Sequence, residues 1–143
     1  MKIITYSSKE TIIYGKKIAS SLRGGEVIAL WGDLGAGKTT FVKGLAQGLG
    51  IKKIVTSPTF ILMNVYKIKD LRLKIKVLVH IDCYRVYKAQ DIEDIGVLEY
   101  FGRKDSIVVI EWPERIKKIL PKKTLHIHIE IQNNENRIFH PLS

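Results

Sequence analysis

The chain has 143 residues, 45% of them hydrophobic, with 24 lysines and arginines against 14 aspartates and glutamates and a net charge of +10. That length suits one domain with a sizeable core, and no apolar run approaches the eighteen or so residues of a membrane-spanning helix. The single cysteine, Cys83, excludes an internal disulfide and fits a cytoplasmic protein, while the charge favours an anionic partner, nucleic acid foremost.

In chain order, Met1 to Tyr6 is strand-like and carries no signal-peptide pattern. Ser7 followed by Glu10 is a capping box that opens a helix running to Leu22, with Ile12, Ile13, Ala19 and Leu22 as its expected buried side; Gly24-Gly25 ends it. Glu26 to Trp31 reads as a buried strand, and Thr39 to Leu49 as a helix stopped by Gly48 and Gly50. Ile51 to Val55 is short and apolar, and Thr56 to Phe60 is a polar, proline-containing loop. Ile61 to Ile68 and Leu73 to Ile81 read as a hairpin around a basic turn. Between Lys52 and Lys76 seven basic residues face one acid, Asp70, which marks either an anion-binding surface or a solvated face.

Tyr87 to Phe101 reads as one or two helices bearing Asp91, Glu93 and Asp94. Ser106 to Glu111 is a buried strand ending in a carboxylate; Trp112-Pro113 breaks it, and Glu114 to Leu120 is a short helix. Leu125 to Ile131 alternates with period two, as a half-buried antiparallel strand does, with His126 and His128 as ordinary strand residues. A turn at Asn133 to Asn136 leads into a last strand at Arg137 to Phe139. This mixture of crossovers and hairpins predicts a single α/β domain over residues 1–143. Its architecture is a three-layer sandwich with a partly parallel central sheet and antiparallel edge strands.

Between the first buried strand and its helix, Gly32-Asp33-Leu34-Gly35-Ala36-Gly37-Lys38-Thr39 is a complete phosphate-binding loop, G-x-x-x-x-G-K-[ST]. Its glycines let successive N–H groups turn inward, Lys38 reaches β- and γ-phosphates, and the Thr39 hydroxyl suits Mg²⁺. The strand–loop–helix setting supports the motif. Glu111, at the carboxyl end of a buried strand, is the candidate magnesium-side carboxylate. Asp82 also follows an apolar strand, and period two places His80, Asp82 and Tyr84 on one face. Asp82 can orient a water or complete a metal shell, or it can belong to a structural hydrogen-bond cluster. His80 and Arg85 can contact phosphates or tie the loop down; His80 and Asp82 lack the third ligand of a metal site of their own. Ser57-Pro58-Thr59 sits where nucleotide switches carry a γ-phosphate sensor, though a proline turn would look the same.

Gly32 to Thr40, Ser57-Pro58-Thr59-Phe60, His80 to Arg85 and Glu111-Trp112-Pro113-Glu114, in this order, resemble the bacterial TsaE family, formerly YjeE, over essentially the whole chain. The resemblance implies a P-loop NTPase fold and an ATPase of tRNA threonylcarbamoyladenosine biosynthesis, with ATP and Mg²⁺ as cofactors. It implies that Gly32, Asp33, Gly35, Ala36, Gly37, Lys38, Thr39 and Thr40 hold the nucleotide and that Thr39 and Glu111 hold Mg²⁺. Asp82 would support hydrolysis, Ser57-Pro58-Thr59 would act as a switch, and Trp112 would pack near the nucleotide. The adenine end would lie near Ser8 and the last hairpin. The implied partners are TsaB and TsaD homologues, which modify adenosine 37 of tRNAs reading ANN codons, so tRNA is met through that complex. A small P-loop kinase for a nucleoside or metabolite, and an RNA-binding module without catalysis, are the competing readings.

Overall fold

The computed structural model describes residues 2–58, 62–70, 72–133 and 135–142, with Leu142 described by its backbone alone. Strand β1 (Ile3–Thr5) leads into helix α1 (Ser8–Ser21), whose N-cap is Ser7. The Ser7 hydroxyl accepts from the Glu10 N–H at 3.1 Å, and the Glu10 carboxylate accepts from Tyr6 N–H at 3.1 Å, one residue before the cap. The buried stripe of α1 is Thr11, Tyr14, Gly15 and Ala19. Ile12 and Leu22 lie at its margins, but Ile13 is 55% exposed, contrary to the sequence reading. Stepping by three and four from Thr11 reaches Tyr14, Gly15 and Ala19 and leaves Ile13 on the far side of the helix.

Strand β2 (Val27–Trp31), helix α2 (Lys38–Gly48), β3 (Met63–Lys67) and β4 (Val77–Asp82) follow, then α3 (Ala89–Asp94) and a 3-10 turn at Val97–Glu99. β5 (Ser106–Glu111), a kinked 3-10 segment at Pro113–Ile119, β6 (Leu125–Gln132) and β7 (Asn136–Leu142) complete the chain. The seven strands form one sheet in the order β1-β7-β6-β2-β5-β4-β3. β6, β2, β5 and β4 run parallel; β1, β7 and β3 add antiparallel pairs at the two sides. The predicted α/β class and mixed sheet are therefore present.

The fully buried parallel strands sort their side chains by period two. Ile28 and Leu30 of β2, Leu78 of β4, and Ile107 and Val109 of β5 pack with Phe41, Val42 and Leu45 of α2 and with Tyr14 of α1. Val27, Val79, Ile81, Val108 and Ile110 pack on the opposite face against Ile92, Val97 and Ile116. Helices thus cover both faces, and side chains at 78, 80, 82, 107, 109 and 111 point toward α2.

Two sequence readings about the strands need correction. β6 is antiparallel to β7 only; toward the sheet centre it is parallel to β2, because the crossover from β5 returns it in the same direction. The expected hairpin is shorter than its apolar pattern: the ladder spans Met63–Lys67 against Val77–Ile81, and Ile68 and Ile75 are buried in the connection instead. Ile51 to Val55 forms no regular element; Ile51 and Val55 anchor inward while Ile54 is 85% exposed. Of the expected polar loop, Thr59 and Phe60 lie outside the described residues, as do Ile61 of the first hairpin strand and Leu71 of its turn.

Candidate active site

The phosphate loop joins the carboxyl end of β2 to the first turn of α2. Gly35 and Gly37 adopt φ values of 78° and 96°, left-handed conformations that a β-carbon would strain. Gly37 is also the N-cap of α2 and, having no side chain, leaves the first N–H groups of the helix facing the cleft, where a dipole end and free donors favour an anion. The cleft encloses about 440 Å³ and is lined by the loop from Leu34 to Thr40 together with Ser57, Asp82, Tyr84, Arg85, Glu111 and Trp112. Gly32 and Asp33 stand at the start of the loop, Asp33 exposed.

Parallel pairing of β4 with β5 sets Asp82 beside Glu111, so two carboxylates from distant segments meet at the strand ends facing α2. Glu111 is 4% exposed, and both its oxygens accept from the Thr39 hydroxyl, at 3.2 and 3.0 Å. His80, fully buried, brings Nε2 to 2.6 Å from Glu111 Oε2. That corrects the expectation that His80 reaches phosphates or ties the loop: it holds the Glu111 carboxylate from behind. Its Nδ1 has no hydrogen-bond partner among the described residues. Asp82 accepts from the Ser57 hydroxyl at 2.7 Å and from the Tyr84 backbone N–H at 2.9 Å. Tyr84 itself lies past the end of β4, so only His80 and Asp82 share the strand face.

Lys38 is 5% exposed, its ammonium 2.5 Å from the Gly32 carbonyl and 3.4 Å from the centroid of the Trp112 ring. Burial pushes its pKa down, opposed by the nearby charges of Glu111, Glu114, Asp82 and Asp33. A buried ammonium beside the N-terminus of α2 is placed to meet an anion there. Trp112 takes a left-handed backbone (φ 58°, ψ 51°), which costs about 1 kcal/mol for a side chain with a β-carbon. That turn aims its indole over Lys38 and against Tyr84, ring centroids 5.0 Å apart. Nothing in the local residues announces the Tyr84 contact, because it depends on this backbone reversal.

Mg²⁺ takes few protein ligands, commonly a hydroxyl and one or two carboxylates beside phosphates and water. The Thr39–Glu111 convergence fits that donor set. Among the described residues no group of three or more His, Cys, Asp or Glu is placed to hold a metal by itself.

Ser8 is exposed at the start of α1 and is not among the cleft's lining residues. The last hairpin does reach the loop: Arg137 of β7, paired in register with Thr5, donates to the Gly35 carbonyl at 3.0 Å. Sequence reasoning assigned Arg137 only to a strand, since nothing local announces a contact 102 residues away. His126 and His128 are strand residues as expected, bonded to and stacked on Trp31.

Residues 5–139 match the family model described as "Threonylcarbamoyl adenosine biosynthesis protein TsaE". The chain is 41% identical over 138 residues to the tRNA threonylcarbamoyladenosine biosynthesis protein TsaE of Treponema pallidum, covering 96% of each chain. It is 39% identical over 137 residues to the Bacillus subtilis protein of the same description, covering 96% of this chain and 82% of the relative. A crystal structure of Bacillus subtilis YdiB superposes with a TM-score of 0.78 at 36% identity, covering 97% of this chain and 82% of that one.

Proposed function

The chain belongs to the TsaE family of tRNA threonylcarbamoyladenosine biosynthesis, and from that premise we propose that it binds MgATP and hydrolyses it to drive an assembly of TsaB and TsaD homologues that modifies adenosine 37 of tRNAs reading ANN codons. The observation that carries this reading is the meeting of Thr39 and Glu111 at 3.0 Å beside a buried Lys38 at the N-terminus of α2. The loop N–H groups from Gly35 to Thr40 cradle the phosphates, and Lys38 exchanges its Gly32 contact for β- and γ-phosphate oxygens. Thr39 and Glu111 would hold Mg²⁺, which would supply positive charge for the phosphoryl transfer. His80 keeps Glu111 turned toward Thr39. Asp82 orients the attacking water.

The Ser57 hydroxyl holds one oxygen of Asp82, so the Ser57-Pro58-Thr59 loop is coupled to the group that faces the γ-phosphate. A loop in that place switches with the nucleotide state, and the TsaB–TsaD pair reads the change. Trp112 closes the cleft over Lys38, and the adenine extends toward the start of α1 and the β7 side of the loop, where Arg137 stands.

The test is steady-state ATP hydrolysis in the presence of the TsaB and TsaD homologues. Lys38→Ala removes the side chain that meets developing phosphate charge, and turnover should fall by about 100-fold or more. A Lys38→Ala protein hydrolysing ATP at the wild-type rate would sink this reading.

A further inference from the structure

Away from the active-site cleft, two cavities adjoin along Gly50 to Lys53. One of about 650 Å³ lies between α1, α2 and the segment after α2; the other, about 890 Å³, lies between that segment and the hairpin end of β3. Lys16, Lys43, Lys52, Lys53, Lys67 and Lys69 line them, all exposed. The lone acid on the lining is Asp70, and Arg72 already neutralises it through a two-pronged pair at 3.1 and 3.0 Å. Six lysines are thus left along a channel formed by the two adjoining cavities, whose described lining residues include no other acid to answer them. An equally basic but solvated face would spread its lysines among glutamates and aspartates, as the opposite layer does with Asp91, Glu93, Asp94 and Glu114.

We propose that this channel is a docking surface for the phosphate backbone of a folded RNA, the tRNA of the pathway being the RNA it would meet. Lysines contribute point charges that suit phosphates without reading bases. The aromatic residue on the lining, Tyr66, is buried at 8% exposure and offers no stacking platform, so the contact is with the backbone and largely independent of sequence. An acidic protein surface is the competing occupant. The distribution of charge favours RNA: lysines from α1, α2, the segment after it and the β3–β4 connection lie along one path, and an RNA backbone supplies regularly spaced charge to match. The inference rests on the tRNA pathway proposed above and not on ATP hydrolysis.

The experiment is fluorescence anisotropy with a labelled, transcribed tRNA, from about 50 to 200 mM salt, over which a protein making four to six phosphate contacts loses roughly 100-fold or more in affinity. The quadruple variant Lys52→Gln, Lys53→Gln, Lys67→Gln, Lys69→Gln should bind at least about 10-fold more weakly at the low-salt end, with its salt slope reduced by about 3. The charge-reversed pair Lys67→Glu, Lys69→Glu should weaken binding in the same direction, and thermal unfolding of both variants should match wild type. Lys38→Ala, defective in hydrolysis, should bind tRNA normally, which separates failure of this inference from failure of the ATPase reading. No wild-type binding at about 50 mM salt, or unchanged binding by both lysine variants, would overturn it. So would variants that keep tRNA but lose capture by the TsaB and TsaD homologues, since the channel would then serve a protein.

Discussion

Cys83 directly follows Asp82 at the end of β4 but is not among the residues lining the cleft. Its backbone N–H donates to the Glu111 carbonyl at 3.0 Å, while its thiol is fully buried in the layer opposite α2. Burial, reinforced by Asp82, Glu114 and Glu111, pushes the thiol up to about 12 from the ordinary 9.0. Above pH 9 the unfolded chain releases this proton and the folded one keeps it. The contribution is fully present below pH 9 and is lost, by roughly 1 kcal/mol per pH unit, as pH rises toward 12. Urea unfolding from pH 8 to 10.5 should show this decline in wild type and a shallower one in Cys83→Ala; parallel curves would contradict it. At this scale the sequence disclosed the residues with obvious chemistry, Lys38, Thr39, Glu111 and Asp82, and the cleft contains all four. It misjudged His80, because what that ring touches depends on the register of β4 against β5, whose Glu111 lies 31 positions further along the chain.

Helices α1 and α2 meet almost backbone to backbone. A β-carbon on Gly15 would come 2.6 Å from the Phe41 carbonyl oxygen, and one on Gly44 would collide with the Ile12 carbonyl. Replacing a mid-helix glycine with alanine ordinarily gains about 1 kcal/mol in helix propensity. Here the new methyl meets backbone that cannot rotate aside, an overpacking cost of about 1–3 kcal/mol or more. Gly44→Ala should therefore destabilise the fold despite the better helix former, and a stabilised Gly44→Ala protein in denaturant unfolding would refute the close contact. The same contact explains why the periodicity of α1 was only partly readable: glycine and tyrosine occupy the inner stripe, while the more apolar Ile13 points to solvent. α2 and β5, with strong patterns and clear flanking signals, were legible almost to the residue. The hairpin was not, since its connection buries Ile68 and Ile75 and so looks like strand.

Across the molecule, order of burial follows position in the sheet. β2 and β5 are paired on both sides and covered on both faces, whereas β1 and β3 stand at the two edges. Amides of Ile28 to Leu30 and Val108 to Ile110 should exchange with solvent only through global unfolding, and those of Ile3 to Thr5 and Met63 to Lys67 through cheaper local opening. Hydrogen-exchange rates that rank the edges with the centre would count against this. The charge of +10 and the basic run from Lys52 to Lys76 were legible in the sequence, but the approach of Lys16 and Lys43 to that run was not, because α1 and α2 come beside it only in the folded chain.

The segment after α2 begins in the lysine-lined channel, is pinned inward by Ile51 and Val55, and arrives at Asp82 through Ser57. A single strap of chain therefore touches both the proposed RNA channel and the phosphate-loop cleft. Whatever factor one ligand imposes on the other's affinity through it, thermodynamic linkage returns in full: if MgATP loosens the grip on RNA, RNA must loosen the grip on MgATP by the same ratio. The strap gives neither ligand command over the other; it makes them bargain on equal terms.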